Sequence, residues 1–464
     1  MKKLAKFKLF DNVEMTSGNL FIKILLLSLP AMLTTMMQLL YVTIDLTTVH
    51  YGDSPIAMGA IASNNALINL IIVVFSGISI GANVIMSMAK GANDKEKASK
   101  VLHTSLVFAL ATGILVGIIG FAFSDNLLVM MGTEPYYLDL ATTYLKIYFL
   151  GLPFLMVFNY CAQLLRAQGD SKTPFLALLI SGLVNIGFDC LFVFLCHMSV
   201  AGVALATIIA EALSALICLV SLYKSKKTYV NFRFKLLKID FHTLAEILRV
   251  GLPAGLQSFF FSLPNVFIQS SLYTIDPGNV NLVNGATAAN NIEGYYLAGV
   301  DAISVSTMSF IAANIGAKKK ENLKKIVLYG LLWGAIYCTI TALLTLLFHN
   351  QLLSLFVDNV ESINAGYDRL KMTGYFYFID FLMAFTAAVL RGFKRSVWPM
   401  VTTLLFCTVF RIVMLYTVFP LEMFHTVMRL YALFPITWVL ATISNLVGMV
   451  IFIPKNIIDI ELKK

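Results

Sequence analysis

Residues 101–123 read VLHTSLVFALATGILVGIIGFAF, a run without a single Asp, Glu, Lys or Arg. As an α-helix rising about 1.5 Å per residue, roughly 20 such residues cross the apolar layer of a bilayer. A membrane β-strand would alternate apolar and polar residues over about ten positions, and this run does not. Working outward, similar runs begin near residues 21, 56, 138, 174, 200, 245, 285, 325, 365, 397 and 428. Composition agrees: of 464 residues, 59% are hydrophobic and 13% charged, and the mean hydropathy is +0.82. Water-soluble chains carry about 45–50% apolar and about 25% charged residues, so lipid must solvate much of this one. Disorder, collagen and a disulfide scaffold are excluded on the same grounds. The sequence predicts an all-α polytopic membrane protein with twelve transmembrane helices.

The net charge of +9 is a topology signal, because the cations sit in short loops between apolar runs. Lys2, Lys3, Lys6 and Lys8 open the chain. Alternate loops then carry Lys90 to Lys100, Arg166 and Lys172, Lys224 to Lys238, Lys318 to Lys325, and Arg391 to Arg395, and the tail adds Lys455, Lys463 and Lys464. The intervening loops hold Asp53, Asp125, Glu134, Asp276, Asp358 and Glu361, with Arg369, Lys371 and Arg429 as exceptions. The positive-inside rule then places both termini in the cytoplasm, with an even number of spans in the cytoplasmic membrane. The first apolar run is too long for a cleaved signal, and no small-residue cleavage site follows it. Cys161, Cys190, Cys196, Cys218, Cys338 and Cys407 lie scattered in apolar runs, which reads as packing and not as a disulfide or metal framework.

The chain repeats itself. Leu165-Arg166 with Ser171 and Pro174 recurs as Leu390-Arg391 with Ser396 and Pro399, at an offset of 225. Gly91-Ala92 recurs as Gly316-Ala317 at the same offset, and Leu29-Pro30 as Leu252-Pro253 at 223. The expected organisation is therefore an N-lobe over 1–223, a basic linker over 224–244 and a C-lobe over 245–464. Six spans per half run the repeats in the same direction, so a pseudo-two-fold axis lies along the membrane normal. Repeats of this kind belong to secondary transporters. Pro30 and Pro253 each remove one helix hydrogen bond; Pro30 is a candidate bending point, against the plainer reading of a tolerated membrane proline.

Ionisable groups at membrane depth cost about 2.5–3.5 kcal/mol each on insertion scales, so they default to function. Asp45 lies late in the first span and Asp189 in the fifth, with Asn185 one turn before it on the same helical face. With Thr207 in the sixth span they would form a hard-oxygen pocket for Na⁺, or for a proton shared between carboxylates. The competing readings are an interfacial Asp45 that reaches water, and interhelical hydrogen bonding by Asn185 and Asp189. At the 225 offset these positions become Phe410 and Met414. The second half offers instead Glu293 and Asp301 in span eight, Asp380 in span ten and one deep cation, Arg411, as substrate or proton candidates. The run Tyr375 to Phe378 beside Asp380 is either packing or an aromatic wall for a flat organic cation. Glu211 and Lys146 read as snorkelling side chains.

Absences narrow the function. No G-x-x-x-x-G-K-[ST] occurs, so this chain does not hydrolyse nucleotide for power, and neither H-E-x-x-H nor a paired-Asp cluster suggests a membrane enzyme.

The residues also resemble those of a known family. LPAMLTTMMQLLYVTID (29–45), LRAQGDSKTPFLALLISGLVNIGFD (165–189), GVALAT (202–207), VGLPAGLQ (250–257), ATAANNIEG (286–294), IAANIGAKKK (311–320) and VLRGFKRSVWPM (389–400) are similar to stretches of the multidrug and toxic compound extrusion (MATE) family, and within it of the DinF-like branch. The resemblance implies two six-helix lobes in a V and H⁺- or Na⁺-coupled export of drugs or metabolites. It implies a coupling-ion site at Asp45, Asn185, Asp189 and Thr207, and no other cofactor. It places Asp380 where the NorM-like branch has an acid and Glu293 where the DinF-like pattern has one. The NorM-like acid of span seven is missing from LQSFFFSLPNVF (256–267). LTTVHYG follows Asp45 where relatives show a VGR-type string, IAANIGA replaces a Gly-Gln form, and Asp301 replaces an uncharged residue. Those departures bear on substrate identity. A small organic cation, a lipid bilayer, no nucleic acid and a monomer are the expected partners and state. A lipid-linked oligosaccharide flippase would share the two-lobe architecture but would want a basic cavity, and the deep charges here are mostly acidic.

Overall fold

The computed structural model describes residues 12–52, 55–225 and 228–462. Lys2, Lys3, Lys6, Lys8, Asp53, Lys226, Lys227, Lys463 and Lys464, which entered the charge reading, lie outside the described residues. Helices account for nearly all of the rest: α1 Leu20–Gly52, α2 Pro55–Gly91, α3 Lys95–Met130, α4 Pro135–Ala167, α5 Lys172–Asp189, α6 Ser199–Lys224, α7 Phe241–Ile275, α8 Val280–Gly316, α9 Lys320–Leu347, α10 His349–Leu353, α11 Val360–Gly374, α12 Tyr377–Gly392, α13 Val397–Thr402, α14 Arg411–Thr417 and α15 Val427–Leu462. Ten spans among the described residues are long and apolar enough to cross a membrane. α11 and α12, bent by 54° at their junction, make an eleventh by the same measure; the 35-residue α7 is long enough to cross but less apolar, and with it the helices are consistent with the expected twelve. α1 continues through Pro30 as one helix, and α7 through Pro253 and Pro264.

The chain divides into two compact units. One comprises Met1–Glu14 and Leu33–Leu248, the other Met15–Met32 and Arg249–Lys464. This division differs from the expected boundaries in two places. Residues Met15–Met32 group with the second unit, because Asn314 Nδ2 donates to the Met15 carbonyl at 2.9 Å and Trp333 Nε1 to the Phe21 carbonyl at 2.8 Å. The Phe21 ring also stacks on Trp333 at 4.6 Å. The basic linker groups with the first unit, where the Arg233 N–H meets His103 Nε2 at 3.0 Å and Lys97 pairs with Glu246 at 2.9 Å.

The sequence repeat is also a backbone repeat. Asn93 and Lys318, 225 residues apart, take φ of 56° and 55°; Gly169 and Lys394, again 225 apart, take 88° and 61°. Each closes a helix in the same way. The Asp94 and Lys319 amides reach back to Ala89 and Asn314, and the Asp170 and Arg395 amides to Leu165 and Leu390, all at 2.9 Å. These bonds satisfy carbonyls that a helix end otherwise leaves open. Gly169 is required by more than its φ, since a Cβ there would strike the Val13 carbonyl, whose own amide donates to the Gly169 carbonyl at 2.8 Å.

Packing inside the first unit relies on close backbone approach. A Cβ on Gly117 of α3 would lie 2.7 Å from the Phe149 carbonyl of α4, the small-residue contact that membrane helices favour. The second unit builds a core from Ile268, Leu272, Met383, Leu415, Tyr431, Phe434 and Trp438, drawn from α7, α12, α14 and α15.

Candidate functional site

In the first unit, α1 delivers Asp45, α5 delivers Asn185 and Asp189, and α6 delivers Thr207. All three of Asp45, Asn185 and Asp189 are buried. The Asp45 carboxylate faces Asp189, Thr207 and Asn185, and Thr207 Oγ1 lies 3.3 Å from Asp45 Oδ2. The interfacial reading of Asp45, in which it merely reaches water, does not fit a side chain 6% exposed. Among the described residues, five polar atoms of this cluster have no hydrogen-bond partner: Asp45 Oδ1, both oxygens of Asp189, and Nδ2 and Oδ1 of Asn185. Buried polar groups are nearly always satisfied, and two uncompensated carboxylates each cost several kcal/mol. A proton or hard cation held there would remove that penalty, and carboxylate, amide and hydroxyl oxygens are the ligands such a cation takes.

Local structure sharpens the site. α5 ends at Asp189 and passes into a π-helical stretch, Cys190–Leu195, which widens the turn beside the carboxylate. The matching span of the second unit carries a π-helical stretch at Thr403–Phe410, directly before Arg411. Each unit thus has a buried charge at the edge of a π segment, a feature frequent at functional sites. Two groups beyond the sequence reading join the first cluster. Tyr144 and Tyr148 of α4, stacked at 6.4 Å, stand in the electrostatic field of Asp45 and Glu211. Glu211, one helical turn beyond Thr207 on α6, is half-buried with its Oε2 beside Gly151 of α4. The i, i+4 relation to Thr207 was the available signal for Glu211. Lys146 pairs with Asp125 at 2.8 Å on an exposed surface.

The acids of the second unit lie within one another's electrostatic reach around Asp380 but are held by different partners. Glu293 is held by Arg369, through Nη2 at 2.7 Å and Nε at 3.1 Å, and receives Thr373 Oγ1 at 2.7 Å. Asp301 is exposed. Asp380 is buried and faces Tyr296, with Arg411 among the charges around it. No ion pair joins Asp380 to Arg411 among the described residues. Arg411 is fully buried, donates from Nη2 to Thr437 Oγ1 at 2.6 Å, and lies 4.7 Å above the Phe434 ring; its Nε and Nη1 have no partner among the described residues. The aromatic run is divided by the break between α11 and α12. Tyr375 is 65% exposed, whereas Tyr377 is buried and stacked at 3.8 Å on Tyr296.

Two helical units, a repeat that orders both, and an unsatisfied acidic cluster inside the bundle define a membrane transporter. The profile of the MatE family matches residues 30–191 and 253–417, and the chain belongs to that family, whose members are transporters and not enzymes. Among curated relatives, "Probable multidrug resistance protein YoeA" of Bacillus subtilis (strain 168) is 26% identical over 358 residues, 75% of this chain and 76% of that protein. "Multidrug export protein MepA" of Staphylococcus aureus (strain MRSA252) is 27% identical over 252 residues, covering 54% of this chain and 55% of that protein. The fold matches a crystal structure of a MATE protein in complex with MaL6 at a TM-score of 0.88, with 23% identity over 96% of this chain and 99% of the other.

Proposed function

We propose that this chain is a DinF-like, cation-coupled antiporter that exports small organic molecules, organic cations among them, across the cytoplasmic membrane by alternating access. Both termini face the cytoplasm, and the working unit is a monomer. The observation that carries this reading is the set of five partnerless buried atoms on Asp45, Asn185 and Asp189. Asp45 and Asp189 accept the coupling H⁺ or Na⁺, Asn185 and Thr207 add neutral oxygens, and the Thr207 hydroxyl orients the Asp45 carboxylate. The multidrug names of the relatives support the substrate class.

The test is purified protein in vesicles, with an imposed Na⁺ or proton gradient and a panel of fluorescent organic cations. Asp189→Asn should insert and fold at wild-type level yet fail to couple export to the gradient. Gradient-driven export by that variant at the wild-type rate removes Asp189 from the mechanism.

A further inference from the structure

Residues 233–238, Arg-Phe-Lys-Leu-Leu-Lys, are the only part of the described linker in which six consecutive side chains are all exposed. Phe234 is 71% exposed, Leu236 49%, Leu237 41%, and Phe241 follows at 78%. Phe234 meets Phe232 edge-on at 4.8 Å yet stays mostly open, and a run of exposed apolar side chains interleaved with Arg233, Lys235 and Lys238 is not what a solvated loop presents. Nor is the segment loose. The Val230 amide donates to Gln168 Oε1 at 3.1 Å, the Phe232 amide to the Leu222 carbonyl at 2.9 Å and the Asp240 amide to Thr104 Oγ1 at 3.1 Å. His103 fixes the centre. Its Nε2 accepts from the Arg233 amide at 3.0 Å while Nδ1 lies 2.7 Å from the Ser99 carbonyl, which requires the tautomer protonated on Nδ1. The anchoring groups lie in the first turns of α3 and at the ends of α4 and α6.

The charges are free as well. Asp240 is engaged by the Thr243 amide at 2.7 Å and Glu246 by Lys97 at 2.9 Å. No ion pair reaches Arg233, Lys235 or Lys238 among the described residues.

We propose that residues 233–238, with Phe241, form an in-plane membrane anchor that binds anionic phospholipids. Phe234, Leu236, Leu237 and Phe241 insert among the acyl chains, and Arg233, Lys235 and Lys238 take the headgroup phosphodiesters. An apolar face with a basic rim is the chemistry of an interfacial segment on an anionic surface. The proposal stands apart from the transport reading, since it concerns lipid binding and not coupling.

The experiment melts the purified full-length protein in detergent with added phosphatidylglycerol, phosphatidylcholine or free glycerol 3-phosphate. Phosphatidylglycerol should protect more than phosphatidylcholine, and glycerol 3-phosphate should not protect. Lys235→Gln with Lys238→Gln should raise the half-protecting concentration of phosphatidylglycerol about 30-fold and leave that of phosphatidylcholine unchanged. The charge-matched pair Lys324→Gln with Lys325→Gln on α9 should do far less. Phe234→Ser with Phe241→Ser should weaken protection by both lipids while keeping the preference between them. Equal loss in the two lysine pairs, protection by glycerol 3-phosphate alone, no lipid preference in the wild type, or no effect of the phenylalanine pair would each overturn the proposal.

Discussion

Arg369 grips a single oxygen of Glu293 with two nitrogens, Nη2 at 2.7 Å and Nε at 3.1 Å, in a pocket that leaves the two side chains 10% and 12% exposed. The remaining donor of Nη2 goes to Asn290 Oδ1 at 2.9 Å, and the other carboxylate oxygen receives Thr373. A carboxylate with every oxygen engaged is built to join α8 to α11, and has little capacity left for a substrate. Glu293 therefore belongs to the scaffold of the second unit.

Glu293→Gln should lower thermal stability in detergent, because the guanidinium is left buried without its counter-charge; breaking such a pair costs about 3–5 kcal/mol. Adding Arg369→Met should recover much of that loss. If Glu293→Gln melts like the wild type and export alone fails, the acid acts in transport and the scaffold assignment is wrong.

The difference between Glu293 and Asp189 shows what a sequence carries. Helical spans, the 225-residue repeat and acids at membrane depth are all local or periodic signals. They located the helical runs from α1 to α15 and singled out Asp45, Asn185, Asp189 and Thr207 by residue number. Arg369 stood out only as a cation at the wrong end of its span, and nothing local says that it turns inward to a residue 76 positions earlier. The same limit applies to Met15–Met32, whose apolar pattern predicts a helix but not which unit it packs on. Tyr144 and Tyr148 were invisible for a further reason: a tyrosine in an apolar run reads as packing, and only tertiary placement sets it beside a carboxylate.

Asp45→Asn should behave as Asp189→Asn does if both acids serve one ion. Thr207→Ala should be milder, since it removes one 3.3 Å hydroxyl contact and no charge. Initial export rates under an imposed gradient, at matched protein level, separate these cases. An Asp45→Asn variant that couples normally while Asp189→Asn fails would leave Asp189 as the sole coupling acid.

A close helix approach gives a stability prediction unrelated to transport. Gly117→Val places branched methyls where even a Cβ would be 2.7 Å from the Phe149 carbonyl. Overpacking of this kind costs about 1–3 kcal/mol. The melting temperature in detergent should fall; Gly132→Val, at a position with open space but a φ of +76°, would lose stability through backbone strain instead, so Gly187→Val, also in open space, is the fitting control. Equal melting of Gly117→Val and Gly187→Val would mean that α3 and α4 do not pack this closely.

At the start of α7, hydrogen bonds from Thr243, backbone first and then side chain, hold the Asp240 carboxyl below the ordinary carboxylate range. A carboxylate favoured by folding contributes stability above the unfolded value of about 4, and loses it as pH falls through the folded value. Asp240→Ala should therefore melt below the wild type at pH 7, and the gap should narrow as pH drops below about 4. A gap that stays constant from pH 7 to pH 3 would assign the effect to something other than this charge.

Asp380 and Arg411 are two deep charges of the second unit that no ion pair joins among the described residues. Arg411 leans on Thr437 and the Phe434 ring and keeps two nitrogens without partners. Were the pair structural, Asp380→Asn would lower stability, and Arg411→Met added to it would restore the loss without altering substrate preference. The absence of direct contact argues for the other outcome. Asp380→Asn should leave the melting temperature nearly unchanged and lower export of cationic substrates more than neutral ones, because only a cation loses a Coulomb partner in a site of low dielectric. Transport ratios for a matched pair of dyes, one cationic and one neutral, read this directly. A stability loss in Asp380→Asn that Arg411→Met repairs, with the dye ratio unmoved, would return Asp380 to the scaffold alongside Glu293.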